Sequence, residues 1–298
     1  MDDIVAASAS DNDLRVIMGH IQGHLAEEKA YELFIPVDPL LKPSNICFQQ
    51  VPNTLVRDAR SHGAKKFSLE QCGFEFIKHD FNDGLNVEAM EGANMDQHLK
   101  TYLKSIEAFM VNKMEAKTVI LYDWRIRSTT SKLGTLRPAD KRIQLPIAQM
   151  AHADESARGG LGVLFDHTTE DEQELLKSGK ARFRIMNIWR PLVPVVNEYP
   201  LALCEWDSVD STDWELCDQV HVDRIDEAMY LKPTQSHRWW YLSKQCNNEL
   251  SLFVVWDSVK FAEGVQASTP HVAFDIPGSS KTHERKSLEV RTIVITDD

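Results

Sequence analysis

Three side chains suited to holding a metal ion stand out in the sequence. His152 and Asp154 are two residues apart, and in a strand residues at that spacing point to the same face of the sheet. His271 can supply a third ligand from a distant strand. Two histidines and one carboxylate form the facial triad that leaves one face of an octahedral iron(II) open. These residue types therefore predict a non-haem iron site at His152, Asp154 and His271.

A second His-any-Asp triplet, at His221 and Asp223, competes with the first. About two predicted strands separate it from His271, whereas about five separate His152 and Asp154 from His271. A jelly roll that carries the pair on its second strand and the lone histidine on its seventh requires the larger separation. We therefore expect the first pair to bind the metal and His221 and Asp223 to be solvated loop residues. Taken alone, His271 also fits a core histidine bonded to a backbone carbonyl.

The final stretch of the chain carries cationic and hydroxyl side chains at alternating positions. Arg285, Ser287, Glu289 and Arg291 follow one another at two-residue intervals, so a strand that begins at Arg285 presents all four on one face. A guanidinium fork and a hydroxyl suit the distal end of a dicarboxylate ligand. We expect Arg285 to bind that end with help from Ser287, because the start of the strand reaches the barrel mouth. Arg291 is the alternative; otherwise it pairs with Glu289 or another carboxylate.

The elements that must position these residues are mostly strands. After Lys117, short β-branched and aromatic runs are separated by Gly, Pro, Asp and Ser, which is typical of a sandwich or barrel. Eight such runs suit a mainly-β fold, the double-stranded β-helix or jelly roll. The predicted strands cover residues 118–127, 147–154, 182–193, 201–206, 228–231 continuing through 237–242, 250–256, 271–274 and 287–295.

The first part of the chain has a different sequence pattern from the β-rich part after Lys117. Residues 31–57 contain four prolines, which predicts an extended arm with turns and neither helix nor regular strand: Pro36, Pro39, Pro43 and Pro52. Apolar residues between Met95 and Met114 follow the spacing of an amphipathic helix. We expect one oxygenase domain over residues 1–298, with the arm and helix in residues 1–117 and the jelly-roll core in residues 118–298.

Composition excludes several classes of protein. The 45 acidic and 33 basic side chains give a formal net charge of -12, which disfavours a nucleic-acid partner. No secretion signal and no apolar run of membrane-spanning length is found, so membrane insertion is not expected. Five cysteines without a CxxC pair predict reduced thiols. We expect a cytoplasmic protein that acts on a small molecule, and a homodimer is compatible with the sequence.

Beside this reading, several motifs resemble a known family. The chain is similar to the fungal and bacterial non-haem iron(II) and 2-oxoglutarate oxygenases that include the fungal gibberellin desaturase, the proteins of cephamycin methoxylation and the endoperoxide-forming oxygenase of novofumigatonin biosynthesis. The resemblance covers residue 50 to the C-terminus. Two departures are Glu205, where aspartate is expected, and residues 209–224, which we expect to shape the substrate pocket. The motifs are Val56-Arg57-Asp58-Ala59-Arg60, Gly73-Phe74-Glu75-Phe76, His152-Ala153-Asp154, Asn187-Ile188-Trp189-Arg190-Pro191-Leu192, Pro200-Leu201-Ala202-Leu203-Cys204, His237-Arg238-Trp239-Trp240-Tyr241-Leu242, Trp256-Asp257-Ser258, Pro270-His271-Val272-Ala273-Phe274 and Arg285-Lys286-Ser287-Leu288-Glu289-Val290-Arg291.

The resemblance implies Fe(II), 2-oxoglutarate and dioxygen, with Arg285 and Ser287 holding the 5-carboxylate of 2-oxoglutarate. It further implies a secondary metabolite as the other substrate, oxidised by hydroxylation, desaturation, cyclisation or endoperoxide formation. We expect that substrate to be sizeable and largely apolar, a terpenoid or meroterpenoid ahead of a nonribosomal or β-lactam-like product.

Other interpretations carry less support. A cupin-like metal-dependent isomerase or binding protein would use further histidines and would not need the arginine. A methyltransferase would need a Gly-rich loop after a strand, and Gly159-Gly160-Leu161-Gly162 is too isolated to serve. For Trp189 and Arg190 we favour structural roles, one packing the sheet and the other bonding a carboxylate such as Asp207 or Asp257.

Overall fold

The computed structural model describes most of the chain. The residues that it describes are 12–24, 29–35, 38, 40, 42–63, 66–81, 83–133 and 140–297. Within these ranges, fifteen strands, six helices and two short 3-10 helices follow one another along the chain.

The strands are β1 (Leu14–His24), β2 (Ala30–Leu33), β3 (Ile46–Asp58), β4 (Phe74–Lys78), β5 (Thr118–Ser128), β6 (Leu145–Pro146), β7 (His152–Ala153), β8 (Ala181–Pro191), β9 (Leu201–Cys204), β10 (Trp214–Val220), β11 (Ile225–Leu231), β12 (Trp239–Tyr241), β13 (Glu249–Asp257), β14 (His271–Ala273) and β15 (Lys286–Asp297). The helices are α1 (Leu69–Cys72), α2 (Val87–Glu91), α3 (Met95–Met114), α4 (Ala157–His167), α5 (Glu170–Lys177) and α6 (Ser258–Ala262). The 3-10 helices are Trp206–Ser208 and Ser211–Asp213.

These strands form two sheets, which confirms the predicted mainly-β jelly roll. The larger sheet has nine strands in the order β1-β3-β12-β9-β14-β7-β11-β10-β2. The smaller has six, in the order β4-β13-β8-β15-β5-β6. Most sequence-adjacent strands are not neighbours in these sheets, so residues far apart in the chain meet across them.

Register places the residues that matter for function side by side. In the larger sheet, His152 of β7 is directly opposite His271 of β14. In the smaller sheet, Arg291 of β15 is opposite Asn187 of β8 and also opposite Asp123 of β5. Directly opposed residues point to the same face of a sheet. One face of the six-stranded sheet therefore presents polar side chains from three strands.

The predicted strands agree with the structure over long buried runs. The predictions for 118–127, 182–193, 250–256 and 287–295 correspond to β5, β8, β13 and β15, and those for 201–206 and 271–274 to β9 and β14. Two predictions were too long. Only His152–Ala153 is a strand within 147–154, and the run from 228 to 242 is divided into β11 and β12.

The prediction for residues 31–57 was wrong where it excluded regular strand. Residues 46–58 form β3, which pairs with β1 along its length. The pairing shifts register between Val51 and Thr54, and Asn53 has a positive φ of 63°. Pro52 is tolerated because an irregular position of this kind does not need its missing N–H. Pro36 and Pro39 lie outside the described residues.

The predicted helix is confirmed as α3, with the bounds Met95–Met114. Its buried side chains follow one face and pack in a cluster with residues of the six-stranded sheet such as Leu252 and Val290. Four strands before residue 117 also join the two sheets, so the front of the chain is more than an arm and a helix. No helix in the described ranges combines the length and apolar character needed to cross a bilayer.

Arg190 has a structural role, but its partner differs from the one expected. Its guanidinium bonds to Asp83, with Nη1 2.6 Å from Oδ2, and both side chains are buried. Successive residues of β8 alternate between faces, so Arg190 and Trp189 point in opposite directions. Asp257 bonds to Arg182 and Asp207 to Arg238, which makes both expected partners wrong.

Candidate metal centre

The structure brings His152, Asp154 and His271 together. One ligand atom from each lies within 4.8 Å of the other two. The Nε2 atom of His152 is 3.8 Å from Oδ1 of Asp154, and Nε2 of His271 is 4.0 Å from Oδ2. All three side chains are largely shielded from solvent. Two imidazole nitrogens and one carboxylate at this spacing suit Fe(II) and other borderline divalent metals.

Backbone carbonyls orient both imidazole rings in the same way. Nδ1 of His152 is 2.8 Å from the carbonyl oxygen of Met150, and Nδ1 of His271 is 3.1 Å from that of Thr269. A proton on each Nδ1 leaves each Nε2 lone pair free for a metal. Burial lowers the pKa of His152 to about 3, with the nearby His271 adding to the effect, and burial also lowers the pKa of His271. Both rings are thus neutral, as ligands must be.

Two side chains of the six-stranded sheet hold the Asp154 carboxylate. Nδ2 of Asn187 donates to Oδ2 at 2.6 Å, and Nη2 of Arg291 donates to Oδ1 at 3.0 Å. Burial alone would raise the pKa of this carboxyl group, but Arg291 and the two histidines hold it below its usual range. Asp154 is therefore ionised and fixed in orientation. Such outer contacts tune the affinity of a metal ligand.

Glu155, the neighbour of Asp154, does not add a second negative charge. Burial raises its pKa to about 8, and the negative charge of Asp154 contributes, while Arg291 works in the opposite direction. The Glu155 carboxyl group is thus mostly protonated at neutral pH.

A small inner cavity of about 10 Å³, enough for about one water molecule, lies between the two histidines of the triad and Arg285. Its lining includes His152, His271, Trp189, Glu289 and Arg285, most of them buried. The Arg285 guanidinium stacks on the Trp189 ring at 5.0 Å, and its Nε and Nη1 atoms are buried without a hydrogen-bond partner in the described ranges. Burial lowers the pKa of Arg285 to about 9, and the positive charge of Arg127 adds to this. A buried guanidinium without an anion is costly, so this cavity suits an anionic ligand.

Ser287 and Arg291 differ from Arg285. Ser287 is buried, and its two-residue spacing from Arg285 places it on the same side of the chain. It does not line the inner cavity. Arg291 is engaged by protein carboxylates, with Nε 3.3 Å from Oε1 of Glu289 besides its bond to Asp154. Burial would lower the pKa of Arg291, but Asp154 and Glu289 raise it. Of these side chains, Arg285 is the one left with donors to spare.

A larger outer pocket, of about 710 Å³, is also lined by His152, together with Asp154. This volume is within the range of small-molecule sites. Residues 219 and 221–224 contribute to its wall, in the stretch expected to shape a substrate pocket. The lining mixes apolar side chains such as Phe34 and Phe48 with charged ones such as Arg125 and Arg127.

His221 and Asp223 do not join the cluster of ligand atoms formed by the described residues. Asp223 is exposed, as expected for a solvated loop residue. For His221 that expectation is wrong. Its side chain is only 15% exposed because Nε2 pairs with Asp226 at 3.2 Å and the ring packs on Phe34.

The sequence reasoning gave no role to Asn187 or Arg127. Asn187 is a polar amide within the fully buried run Ile185–Ile188 of β8, and that mismatch was the available signal. Arg127 is the third charged side chain on one face of β5, after Asp123 and Arg125. Such alternation of charges inside a strand of the core sheet indicates a polar cavity.

Comparisons with known proteins agree with this site. A family sequence model described as an oxidoreductase/YMDC permease-like domain matches residues 20–295. The alpha-ketoglutarate-dependent dioxygenase phiK of the fungal strain ATCC 74256 is 28% identical over 247 residues, covering 80% of this chain and 82% of the relative. The Fe(II)/2-oxoglutarate-dependent dioxygenase nvfI of Aspergillus novofumigatus is 25% identical over 270 residues, covering 88% and 90%.

A solved structure gives the same result for the fold. The iron and alpha-ketoglutarate-dependent endoperoxidase NvfI superposes with a TM-score of 0.81, covering 97% of this chain and 100% of its own, at 23% identity. The family model and the relatives phiK and nvfI confirm the family resemblance indicated by the motifs. Since the family match extends over more than half of the sequence, the chain belongs to this oxidoreductase family, and its relatives include Fe(II)- and 2-oxoglutarate-dependent dioxygenases.

Proposed function

We propose that this protein is an Fe(II)- and 2-oxoglutarate-dependent oxygenase of a small secondary metabolite. One observation carries the proposal. A two-histidine, one-carboxylate triad adjoins an inner cavity whose far side is Arg285, a buried guanidinium with unpartnered donors. A dicarboxylate bound between the metal ligands and this guanidinium would occupy the inner cavity, whose volume of about 10 Å³ has to increase on binding. The similarity of the chain to 2-oxoglutarate-dependent dioxygenases supports the same function.

His152, Asp154 and His271 would hold Fe(II). When bound, Fe(II) with 2-oxoglutarate and dioxygen supplies the oxidation, in which 2-oxoglutarate leaves as succinate and carbon dioxide and a substrate is oxidised. The protein's part is positioning. Carbonyl contacts to each Nδ1 keep both Nε2 atoms turned inward, Arg291 keeps the Asp154 carboxylate ionised, and Asn187 and Arg291 together hold it in place.

Arg285 would bind the 5-carboxylate of 2-oxoglutarate through its fork of N–H donors. Trp189 packs against the guanidinium, with Cζ of Arg285 5.0 Å from the centre of the indole ring. The backbone at Arg285 is itself anchored, since its N–H donates to Oγ1 of Thr129 at 3.1 Å. Ser287 as a second donor stays a prediction, because its side chain lies outside the lining of the cavity.

The outer pocket would take the second substrate, next to the ligand residues His152 and Asp154. Its mixed lining suits an apolar skeleton with polar substituents, and a terpenoid or meroterpenoid is the substrate class that we propose. We further propose a single oxygenase domain over residues 1–298, a cytoplasmic location and a homodimer, with no nucleic-acid partner. The acidic net charge of -12 supports the last point.

The test combines metal loading with turnover. Purified protein should bind one Fe(II) per chain and should convert 2-oxoglutarate to succinate in air with ascorbate, slowly without substrate. His152→Ala and His271→Ala should lose both properties. His221→Ala, which removes a pocket histidine outside the triad, is the matched control and should retain the metal. Full iron loading of His271→Ala would refute the site, and metal binding without any succinate would favour the cupin-like alternative.

A further inference from the structure

A second guanidinium near the metal has no carboxylate partner in the described ranges. Arg127 lies near the end of β5, opposite Ser287 of β15, and it lines both the inner cavity and the outer pocket. Its one hydrogen bond among the described residues joins Nη1 to the carbonyl oxygen of Pro146 at 2.9 Å. In the lining of the inner cavity it is a neighbour of His152, His271 and Arg285.

The other arginines of the outer pocket are already paired. Arg291 bonds to Asp154 at 3.0 Å, and Arg224 pairs with Asp226 at 2.9 Å. Arg125, two residues before Arg127 on the same strand face, pairs with Asp123 at 3.1 Å. Lys141 pairs with the same Asp123 carboxylate, so the group formed by Asp123, Arg125 and Lys141 has a net positive charge. No carboxylate on β5 is therefore left to neutralise Arg127.

Arg127 is half-buried, so water reaches only part of its guanidinium. A guanidinium on an open surface is satisfied by water, whereas one inside a pocket gains from a carboxylate that it can bind through two parallel hydrogen bonds. The same pocket also has apolar side chains that suit a carbon skeleton, among them Phe34, Phe48, Ile147 and Met150. Arg127 is therefore the arginine of this pocket without a carboxylate partner among the described residues, in a wall that also carries apolar side chains and carboxylates such as Glu32 and Asp223.

We propose that the substrate of this enzyme is an apolar molecule carrying a carboxylate, and that Arg127 binds this carboxylate. The inference rests on the proposed function and adds the substrate class to it. Because Arg127 and His152 line the same pocket, the carboxylate would lie on the side of the substrate that faces the triad. Arg285 keeps the separate task of binding 2-oxoglutarate on the inner side.

A matched pair of ligands tests the proposal. Abietic acid and its methyl ester share one diterpene skeleton and differ in charge. Each is titrated by calorimetry into protein loaded with Fe(II) and 2-oxoglutarate under exclusion of oxygen. The wild type should bind the acid at least tenfold more tightly than the ester. Arg127→Gln should lose that preference, Arg127→Lys should recover part of it, and Arg125→Gln, the paired arginine on the same strand face, should retain it.

Several results would overturn the assignment. The acid could bind no better than the ester, including the case where neither binds, or the preference could persist in Arg127→Gln. The visible absorbance of the Fe(II) chelate with 2-oxoglutarate separates the two arginines. Arg285→Gln should weaken 2-oxoglutarate binding, and an equal loss in Arg127→Gln would assign Arg127 to the cosubstrate. Absence of any chelate in the wild type would instead refute the proposed function, while the acid and ester titrations would still decide on Arg127.

Discussion

Arg285 and Arg291 lie on one face of the same polypeptide segment but meet different surroundings. Arg291 pairs with Asp154 and Glu289, so its charge stabilises the metal-binding carboxylate of Asp154. Arg285 meets an aromatic ring and a cavity, and two of its nitrogens have no partner in the described ranges. The two arginines are six positions apart in the sequence. Arg291 is paired with protein carboxylates, whereas Arg285 has donors available for a ligand.

This contrast gives a prediction at the residue scale. Lysine at position 285 keeps a positive charge but loses the planar fork that can bind a carboxylate through two hydrogen bonds. We expect Arg285→Lys to weaken 2-oxoglutarate binding roughly tenfold, about 1.4 kcal/mol. The measurement is the KM for 2-oxoglutarate in succinate release, together with an anaerobic titration of the Fe(II) chelate.

Arg291→Lys is the matched comparison for that experiment. Its main effects should fall on iron affinity and thermal stability, because the lost contact is with Asp154. Its effect on 2-oxoglutarate binding should be the smaller of the two. The reverse pattern would move the cosubstrate carboxylate to Arg291.

Only some residues of the site could be predicted from the sequence. The two-residue spacing of His152 and Asp154 predicted a shared face, and the structure places His271 against them. Asn187 could not be placed, since its contact with Asp154 depends on how β8 of one sheet lies over β7 of the other. Spacing along a chain gives the face of a residue, but it does not give the partner across two sheets.

At the scale of elements, burial decided which predictions succeeded. β8 and β13 are buried almost throughout, and their dense apolar runs are a strong strand signal. The strand around the metal pair was predicted too long because residues 147–150 border a cavity instead of pairing regularly. The prolines of residues 31–57 suggested an arm, but one register shift in β3 accommodates Pro52 without ending the strand. Such tolerance comes from tertiary pairing and is invisible in local composition.

Helix α4 illustrates how close packing fixes one element against another. Gly160 is buried in this helix, and a Cβ atom added there would lie 2.2 Å from Cδ1 of Trp256 on β13. The indole is itself held, since Nε1 of Trp256 donates to the carbonyl oxygen of Ala157 at 3.2 Å. The ring has little freedom to move away, so glycine is needed here for space and not for an unusual backbone angle.

We therefore predict that Gly160→Ala lowers the free energy of unfolding by about 1 to 3 kcal/mol through overpacking. Gly162 lies in the same helix, and a Cβ atom there would meet no atom within 4 Å. Gly162→Ala should consequently stabilise the protein by roughly 0.5 to 1 kcal/mol, the ordinary gain of alanine over glycine in a helix. Denaturant unfolding of both variants measures the difference, and equal effects would contradict the packing argument.

At the scale of the whole molecule, the site depends on both sheets at once. The nine-stranded sheet positions the triad, the six-stranded sheet supplies Asn187 and Arg291, and both sheets line the inner cavity. Loss of contact between the sheets would separate Asp154 from its supports. Conditions that weaken the global fold should thus weaken metal binding as well, which makes the pH dependence of stability relevant to activity.

Two histidines away from the metal connect that stability to pH. His20 is buried in β1 with Nδ1 3.1 Å from the carbonyl oxygen of Leu231, and burial lowers its pKa to about 4 against the partial opposition of that bond. His79 is buried after β4, where Nδ1 accepts a bond from the N–H of Phe81 at 3.1 Å. Burial, followed by the charge of Arg190, lowers the pKa of His79 to about 4. Both rings are neutral in the folded protein at neutral pH.

The last prediction follows from the difference between folded and unfolded states. An unfolded chain protonates each histidine near pH 6.5, whereas the folded protein resists until about pH 4. Their contribution to stability is therefore complete above about pH 6.5 and is lost as the pH falls toward 4, by roughly 1 kcal/mol per pH unit for each ring. In urea unfolding between pH 7.5 and 5, His20→Gln and His79→Gln should each show a shallower loss of stability than the wild type. His98→Gln, a substitution at a partly exposed position of α3, should keep the wild-type slope. Parallel curves for all four proteins would show that neither buried ring governs the acid sensitivity of the fold.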